Sequence, residues 1–204
     1  YATTYVQDGD VVSVVAKVRD GRPIKIEGND LSPVTKGGTS ARVQASVLDL
    51  YDTARLRFPT IGGKEVTFEA ADKAVAAAIG GNVVVVSSTI TSPTSKEVIA
   101  QFLAKYPGSK HVTYDAVSYS ALIEANAATN GVAAIPDYHF ENAKAIVSLG
   151  ADFLGTWLSP VAFSKQYATG KKINEKNPTM SKHIHFESVA SLTGSNADEK
   201  YLHR

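Results

Sequence analysis

"NVVVVSSTITSPTS" spans residues 82–95 and sets the fold class. Four consecutive valines form a short apolar run, as expected of a strand buried on both faces of a parallel sheet. A hydroxyl-rich loop follows, and Ser92-Pro93 then opens a helix near 95–106, since proline fits the first helical turn. The unit recurs downstream. "HVTYDA" (111–116) leads to a helix near 118–128, "KAIVSLG" (144–150) to a helix near 159–168, and "HIHFES" (183–188) reads as a further strand. Upstream, Thr67 caps the helix "FEAADKAVAAAI", which Gly80-Gly81 ends. Alternation of this kind predicts an α/β fold, a doubly wound parallel sheet with helices on both faces.

The N-terminal stretch follows another pattern. Residues 3–27 read as strands folded about Asp20-Gly21, a dipeptide suited to a two-residue hairpin turn, with Ile24 and Ile26 alternating with Lys25 and Glu27. "GGTSARVQASVLDLY" (37–51) then predicts a helix whose apolar face is Ala41, Ala45, Val47, Leu48 and Tyr51, capped by the hydroxyl of Thr39 or Ser40. A small β-rich subdomain at 1–60 and a larger α/β domain at 61–204 are expected, the change falling near 57–66. The chain begins at Tyr1 rather than methionine and stops at "KYLHR", so it reads as a piece of a longer protein whose sheet is incomplete at its C-terminal end.

Composition removes several function classes. A net charge of +1 over 204 residues, with scattered lysines and arginines, gives no field for nucleic acid. The densest basic run, "GKKINEK" (170–176), reads as a solvated loop. No apolar run approaches the ~20 residues of a membrane span. The absence of cysteine excludes disulfides, thiolate metal sites, cluster ligation by thiolate and a cysteine nucleophile within the chain.

Candidate site residues cluster where strands end. Ser87, Ser88, Thr89 and Ser92 lie at the carboxyl end of the first parallel strand, where open α/β sheets bind ligands, and their hydroxyls could hold an anion. "SLGADFLGTW" (148–157) places Gly150 and Asp152 at another strand end. His183 and His185 alternate along one strand and face one way; a metal there needs a third ligand, and Glu187 is the only local candidate. His111 and His139 stand alone. No phosphate-binding glycine motif follows a predicted strand, and no serine occupies a nucleophile elbow.

Taken in order, "GRPIKIEGND", "GGTSARVQASVLDLYDTARLRFP", "VTFEAADKAVAAA", "AIVSLGADFLGT" and "FESVASLTGSNADEKYLHR" resemble the molybdopterin oxidoreductase family over nearly the whole chain. "GRPIKIEGN" followed by "KGGTSARVQASVLDLYD" is similar to the large iron–sulfur subunits of alternative complex III, a membrane quinol-oxidising complex. Family members with an N-terminal [4Fe–4S] cluster carry their last cysteine in G-x-x-C-x-[KR]-G. Gly37 and Arg42 match that pattern, Ser40 stands at the cysteine and Val43 at the second glycine, so 1–60 resembles an iron–sulfur cap without its cluster. The family's G-x-N-P loop is answered by Gly150, with Asp152 for asparagine and Phe153 for proline. Its D-P-R triplet is replaced by Glu187, Ser188 and Val189, although Thr193, Ala197 and Asp198 keep the register of the T-x-x-x-A-D that follows.

The resemblance implies a non-catalytic scaffold portion of a quinol-oxidising electron-transfer subunit. Gly150, Asp152, Thr156, Glu187, Thr193 and Asp198 would be vestigial contacts for a molybdopterin guanine dinucleotide that an added acid and a lost arginine disfavour. No catalytic residue, metal or cofactor is expected in the chain itself. Iron–sulfur clusters are expected elsewhere in the parent polypeptide, other subunits of a membrane-bound respiratory complex as partners, and the periplasmic side of the inner membrane as location. Two alternatives stand beside this: part of an active molybdopterin-dependent oxidoreductase, and a small-ligand-binding α/β module using the "SSTITSPTS" loop (87–95).

Overall fold

The computed structural model describes residues 1–7, 10–175 and 178–203, so Lys176 of the 170–176 basic run lies outside the described residues. By contact the chain forms two compact units, Tyr1–Leu48 with Pro136–Arg204, and Asp49–Ile135. These units interleave along the chain.

The first unit opens on an antiparallel sheet of β1 (Ala2–Gln7), β2 (Asp10–Arg19) and β3 (Arg22–Gly28), in that order. Asp20 and Gly21 both take positive φ, 50° and 77°, and so make the expected β2–β3 turn. The chain then reaches α1 (Ala41–Ala45), a 3₁₀ turn at Ser46–Leu50 following it. Two glycines shape the approach. A Cβ on Gly28 would lie 2.1 Å from the Gly37 carbonyl oxygen, and Gly37 itself has φ +78°, so the loop can fold back onto the end of β3 only with glycine at both places.

Ser40 caps α1, its Oγ accepting from the Val43 amide at 3.3 Å. The residues buried beneath are Val43 and Val47, whereas Leu48 and Tyr51 are exposed. The difference from the expected face has a local cause. The helix tightens to 3₁₀ after Ala45, and the change of pitch takes Leu48 off the expected face, while Tyr51 lies beyond the turn. Ser40→Ala is expected to lower unfolding stability by about 1 kcal/mol, as for other lost N-caps. Denaturant titration checks this, and an unchanged midpoint would show that the cap is dispensable.

The C-terminal part of this unit is a parallel sheet in the order β10 (Glu199–Leu202), β9 (Lys182–Glu187), β8 (Ala145–Leu149). It is wound with α5 (Pro160–Lys171) and the short α6 (Leu192–Asn196). α5 is buried on two sides. Val161 joins Val12, Val14, Ile26, Val43 and Val47 in one cluster. Phe163 and Tyr167 belong to an aromatic cluster: Phe163 meets Phe140 edge-on at 5.1 Å, and Tyr167 meets Phe153 at 5.8 Å and His183 at 5.5 Å.

The second unit holds the two-residue strands β4 (Thr60–Ile61) and β5 (Lys64–Glu65), α2 (Phe68–Ala78), β6 (Val84–Ser87), α3 (Pro93–Ala104), β7 (Lys110–Thr113) and α4 (Ser120–Asn130). Thr67 and Ser92 cap α2 and α3 as expected, accepting from Ala70 and Ser95 at 3.2 Å each. Parallel pairing is confirmed, but among the described residues it lies in two sheets, β6–β7 and β10–β9–β8. Expected burial of the valine run on both faces does not hold: Val84 and Val86 are exposed. Side chains alternate across a strand, and β6 has β7 as its only strand partner among the described residues.

Candidate functional site

Strand parity assembles a polar cluster inside the first unit. Parallel register places Ile146 beside His183 and Ser148 beside His185, with all four side chains and that of Glu187 on one face. They are buried, His183 and His185 completely. Ser148 Oγ lies 2.8 Å from His183 Nε2 and 2.5 Å from His185 Nδ1. His185 Nε2 lies 3.1 Å from Glu187 Oε2. From α5 the Tyr167 hydroxyl donates to the Asn196 carbonyl at 2.8 Å and lies 3.2 Å from His183 Nδ1. A hydrogen-bonded row thus runs from α6 through Tyr167, His183, Ser148 and His185 to Glu187.

Burial sets the electrostatics of this row. Desolvation, with the charge of His185 and then Lys171 adding to it and Asp198 opposing, pushes the His183 imidazole down to about 4. Burial, aided by Asp198, pushes the Tyr167 phenol up to about 12. The Ser191 hydroxyl, donating to Glu187 Oε2 at 2.6 Å, is the main cause holding that carboxyl below its ordinary range. Asp198 is likewise held low, first by its bond from Lys171, and it also accepts the His183 amide at 2.7 Å.

The residues aligned with the family's cofactor loops meet around the start of α6, where the chain's own carboxylates occupy the donors. Asp152 Oδ1 accepts from the Thr193 amide at 3.0 Å and the Thr193 hydroxyl at 2.8 Å, and Oδ2 accepts from Thr156 at 3.2 Å. Thr193 Oγ1 in turn accepts from the Leu154 amide at 2.9 Å. The Ser191 amide donates to Glu187 at 3.0 Å, and Ser191 Oγ accepts the Gly194 amide at 2.9 Å. Gly194 permits this closure, since a Cβ there would lie 2.3 Å from Glu187 Oε1. That oxygen has no hydrogen-bond partner among the described residues, and the Lys200 ammonium stands 3.8 Å away. Gly150, at φ +65°, turns the chain out of β8, and its amide donates to the Phe186 carbonyl at 2.8 Å.

In the second unit the hydroxyl loop is also internally bonded. Ser87 Oγ donates to the Ser88 carbonyl and lies 2.8 Å from His111 Nε2, so His111 does not stand alone. The Thr89 amide and hydroxyl donate to Asp115 at 2.7 and 2.5 Å. Ser92 is spent on capping α3. His139 lies 3.3 Å from Glu141 and 3.8 Å from Asp137. Ser40 lines a cavity of about 220 Å³ together with Tyr5, Asp10, Thr39 and Arg42. Among the described residues no group of three or more His, Asp and Glu side chains is arranged to hold a metal.

The sequence marked the two histidines, Glu187, Asp152, Thr193 and Asp198 as candidates; it did not mark Ser148, Tyr167, Ser191 or Asp115. For Ser148 a signal existed: in "AIVSL" it shares the parity of Ile146, so a buried Ile146 buries it too.

No family model matches the chain. The molybdopterin-binding-like subunit of a menaquinone reductase from Nitratidesulfovibrio vulgaris (strain Hildenborough) is 24% identical over 197 residues, covering 92% of this chain. The chain spans 28% of that relative's length. No helix among the described residues is long and apolar enough to cross a membrane. The likeness supports a molybdopterin oxidoreductase-like relationship for a chain of mixed α/β fold.

Proposed function

We propose that this chain is a non-catalytic scaffold part of a quinone-linked electron-transfer subunit, with a molybdopterin oxidoreductase-like fold that does not hold the cofactor. One observation carries the reading. The amides of Ser191, Thr193 and Gly194, the groups a cofactor diphosphate would need at this strand end, are already bonded to Glu187, Asp152 and Ser191. A phosphate brought there would meet two carboxylates in place of free donors, and like charges a few Å apart repel by about 1 kcal/mol even in water. The residues present therefore do not fit molybdopterin guanine dinucleotide.

Quinone linkage rests on two likenesses, the menaquinone reductase subunit and the alternative complex III pattern around Ser40. In this reading the chain's work is mechanical: α5 joins the antiparallel and parallel sheets into one rigid support. Iron–sulfur clusters lie elsewhere in the parent polypeptide, and the partners are that remainder and the other subunits of a membrane-bound respiratory complex on the periplasmic face.

Elemental analysis, pterin assay and calorimetric titration with guanosine diphosphate test this. We expect no stoichiometric molybdenum, iron or pterin in the purified chain and no binding of the nucleotide in the micromolar range. Stoichiometric pterin, or low-micromolar affinity for guanosine diphosphate, would restore the reading of an active molybdopterin-dependent oxidoreductase.

A further inference from the structure

We propose that His185 is carried as an imidazolium inside the fold, and that Ser148 couples its proton to the tautomer of His183 and so to the Tyr167–Asn196 link between α5 and α6. The hydrogens available along the buried row fix these states. Tyr167 has one hydroxyl hydrogen and gives it to the Asn196 carbonyl at 2.8 Å, so the contact with His183 Nδ1 at 3.2 Å takes its hydrogen from the ring. Both histidine rings are buried, with centroids 5.9 Å apart; a carboxylate contacts the His185 ring, whereas Asp198 bonds the His183 backbone amide and not its ring, so His183 is the neutral one. The push of its imidazole down to about 4 agrees. A neutral His183 with hydrogen on Nδ1 has an accepting Nε2, and the Ser148 hydrogen goes there at 2.8 Å.

Ser148 has no second hydrogen, so the 2.5 Å contact with His185 Nδ1 takes its hydrogen from His185. Glu187 Oε2 already accepts from the amide and hydroxyl of Ser191, so it is the acceptor at the other end and His185 Nε2 is the donor at 3.1 Å. Both nitrogens of His185 therefore carry hydrogen. Its positive charge faces Glu187 on β9. Lys200 on β10 lies beyond that carboxylate at 3.8 Å, and Lys171 on α5, which faces His183, is paired with Asp198. A buried charge is tolerated where it is paired and hydrogen-bonded in this way.

Removal of the proton has a defined consequence. Neutral His185, still donating to Glu187, turns an accepting Nδ1 towards Ser148, which then has two acceptors and one hydrogen. The row is satisfied again only if His183 moves its hydrogen to Nε2. His183 Nδ1 then accepts, and the single Tyr167 hydrogen must leave either that nitrogen or the Asn196 carbonyl unpaired. Loss of a proton at His185 is thus transmitted to α6, across β9 and α5, by reversal of hydrogen-bond direction.

Two-bond ¹H–¹⁵N spectra of the full 204-residue chain with labelled histidine test the assignment. At pH 7 we expect both ring nitrogens of His185 to be protonated and His183 to be protonated at Nδ1 alone. In an alkaline titration the loss of the second His185 hydrogen should be accompanied by a change of His183 tautomer and a shift of the Asn196 carbonyl ¹³C resonance. Ser148→Ala should remove that coupling. An unprotonated nitrogen on His185 at pH 7, or its titration with His183 and Asn196 unmoved, overturns the proposal. Should Ser148→Ala fail to fold, the spectra of the unaltered chain decide by themselves.

Discussion

Replacing Phe153 with alanine should cost about 3–5 kcal/mol of unfolding stability, the range for truncating a large aromatic side chain in a close-packed core. Phe153 stands where the related loops carry proline, and its exposure is 1%. Its ring stacks on Phe140 at 4.4 Å and meets Tyr167 at 5.8 Å and His183 at 5.4 Å. It therefore seals the polar row from the loop side, and alanine would open a cavity beside His183. Two consequences separate this role from mere volume. Phe153→Leu, which keeps most of the apolar contact, should lose much less stability than alanine. The alanine variant should also hydrate the His183 environment, weakening the desolvation that holds that imidazole low. Chemical denaturation with NMR titration of the histidines measures both, and a loss under about 1 kcal/mol for alanine would mean that the aromatic cluster is not a stabilising core.

Acidification should destabilise the fold between about pH 6.5 and pH 4, well above the ordinary carboxylate range. In this window the unfolded chain binds a proton at His183 and the folded chain does not, because the folded imidazole titrates near 4 and the free one near 6.5. Since the unfolded state binds more protons there, stability rises with pH through the window and falls as pH is lowered. The full difference amounts to about 3 kcal/mol once the pH is below the folded value. Below that window Glu187 and Asp198, both held low by their hydrogen bonds, continue the trend in the same direction. Thermal unfolding followed from pH 6.5 to 4 should show a falling midpoint, and His183→Gln should flatten the upper part of that curve. A midpoint unchanged between pH 6.5 and 4.5 in the unaltered chain would show that His183 is not held neutral by burial.

Much of the local structure could be read from residues close together in the chain. Asp20-Gly21 turns a hairpin because both positions accept positive φ, and Thr67 and Ser92 start helices because their hydroxyls accept amides three residues on. The parity of His183 and His185 followed from strand geometry alone. The helix at 37–51 was less legible, since a change from α to 3₁₀ pitch at Ser46 alters which side chains face inward without any strong mark in composition. The valine run at 83–86 reported apolar character but not which strands would pair around it. The site was the least legible part. Asp152 stood out as an acid where the resembling loop has asparagine, whereas Ser191, whose amide and hydroxyl bond Glu187, carried no such mark.

The sequence by itself determined the α/β class, the hairpin, the caps and the shared face of the two histidines. These depend on φ/ψ preferences, alternation and hydrogen bonds spanning a few residues. Tertiary structure decided that Ser148 meets His183 and His185, 35 and 37 residues away, that Tyr167 closes the row from α5, and that Asp152 is consumed by Thr193, 41 residues on. A polar side chain's chemistry depends on what satisfies it after burial, and its partners here arrive only when β8 takes its register beside β9 and α5 packs across both.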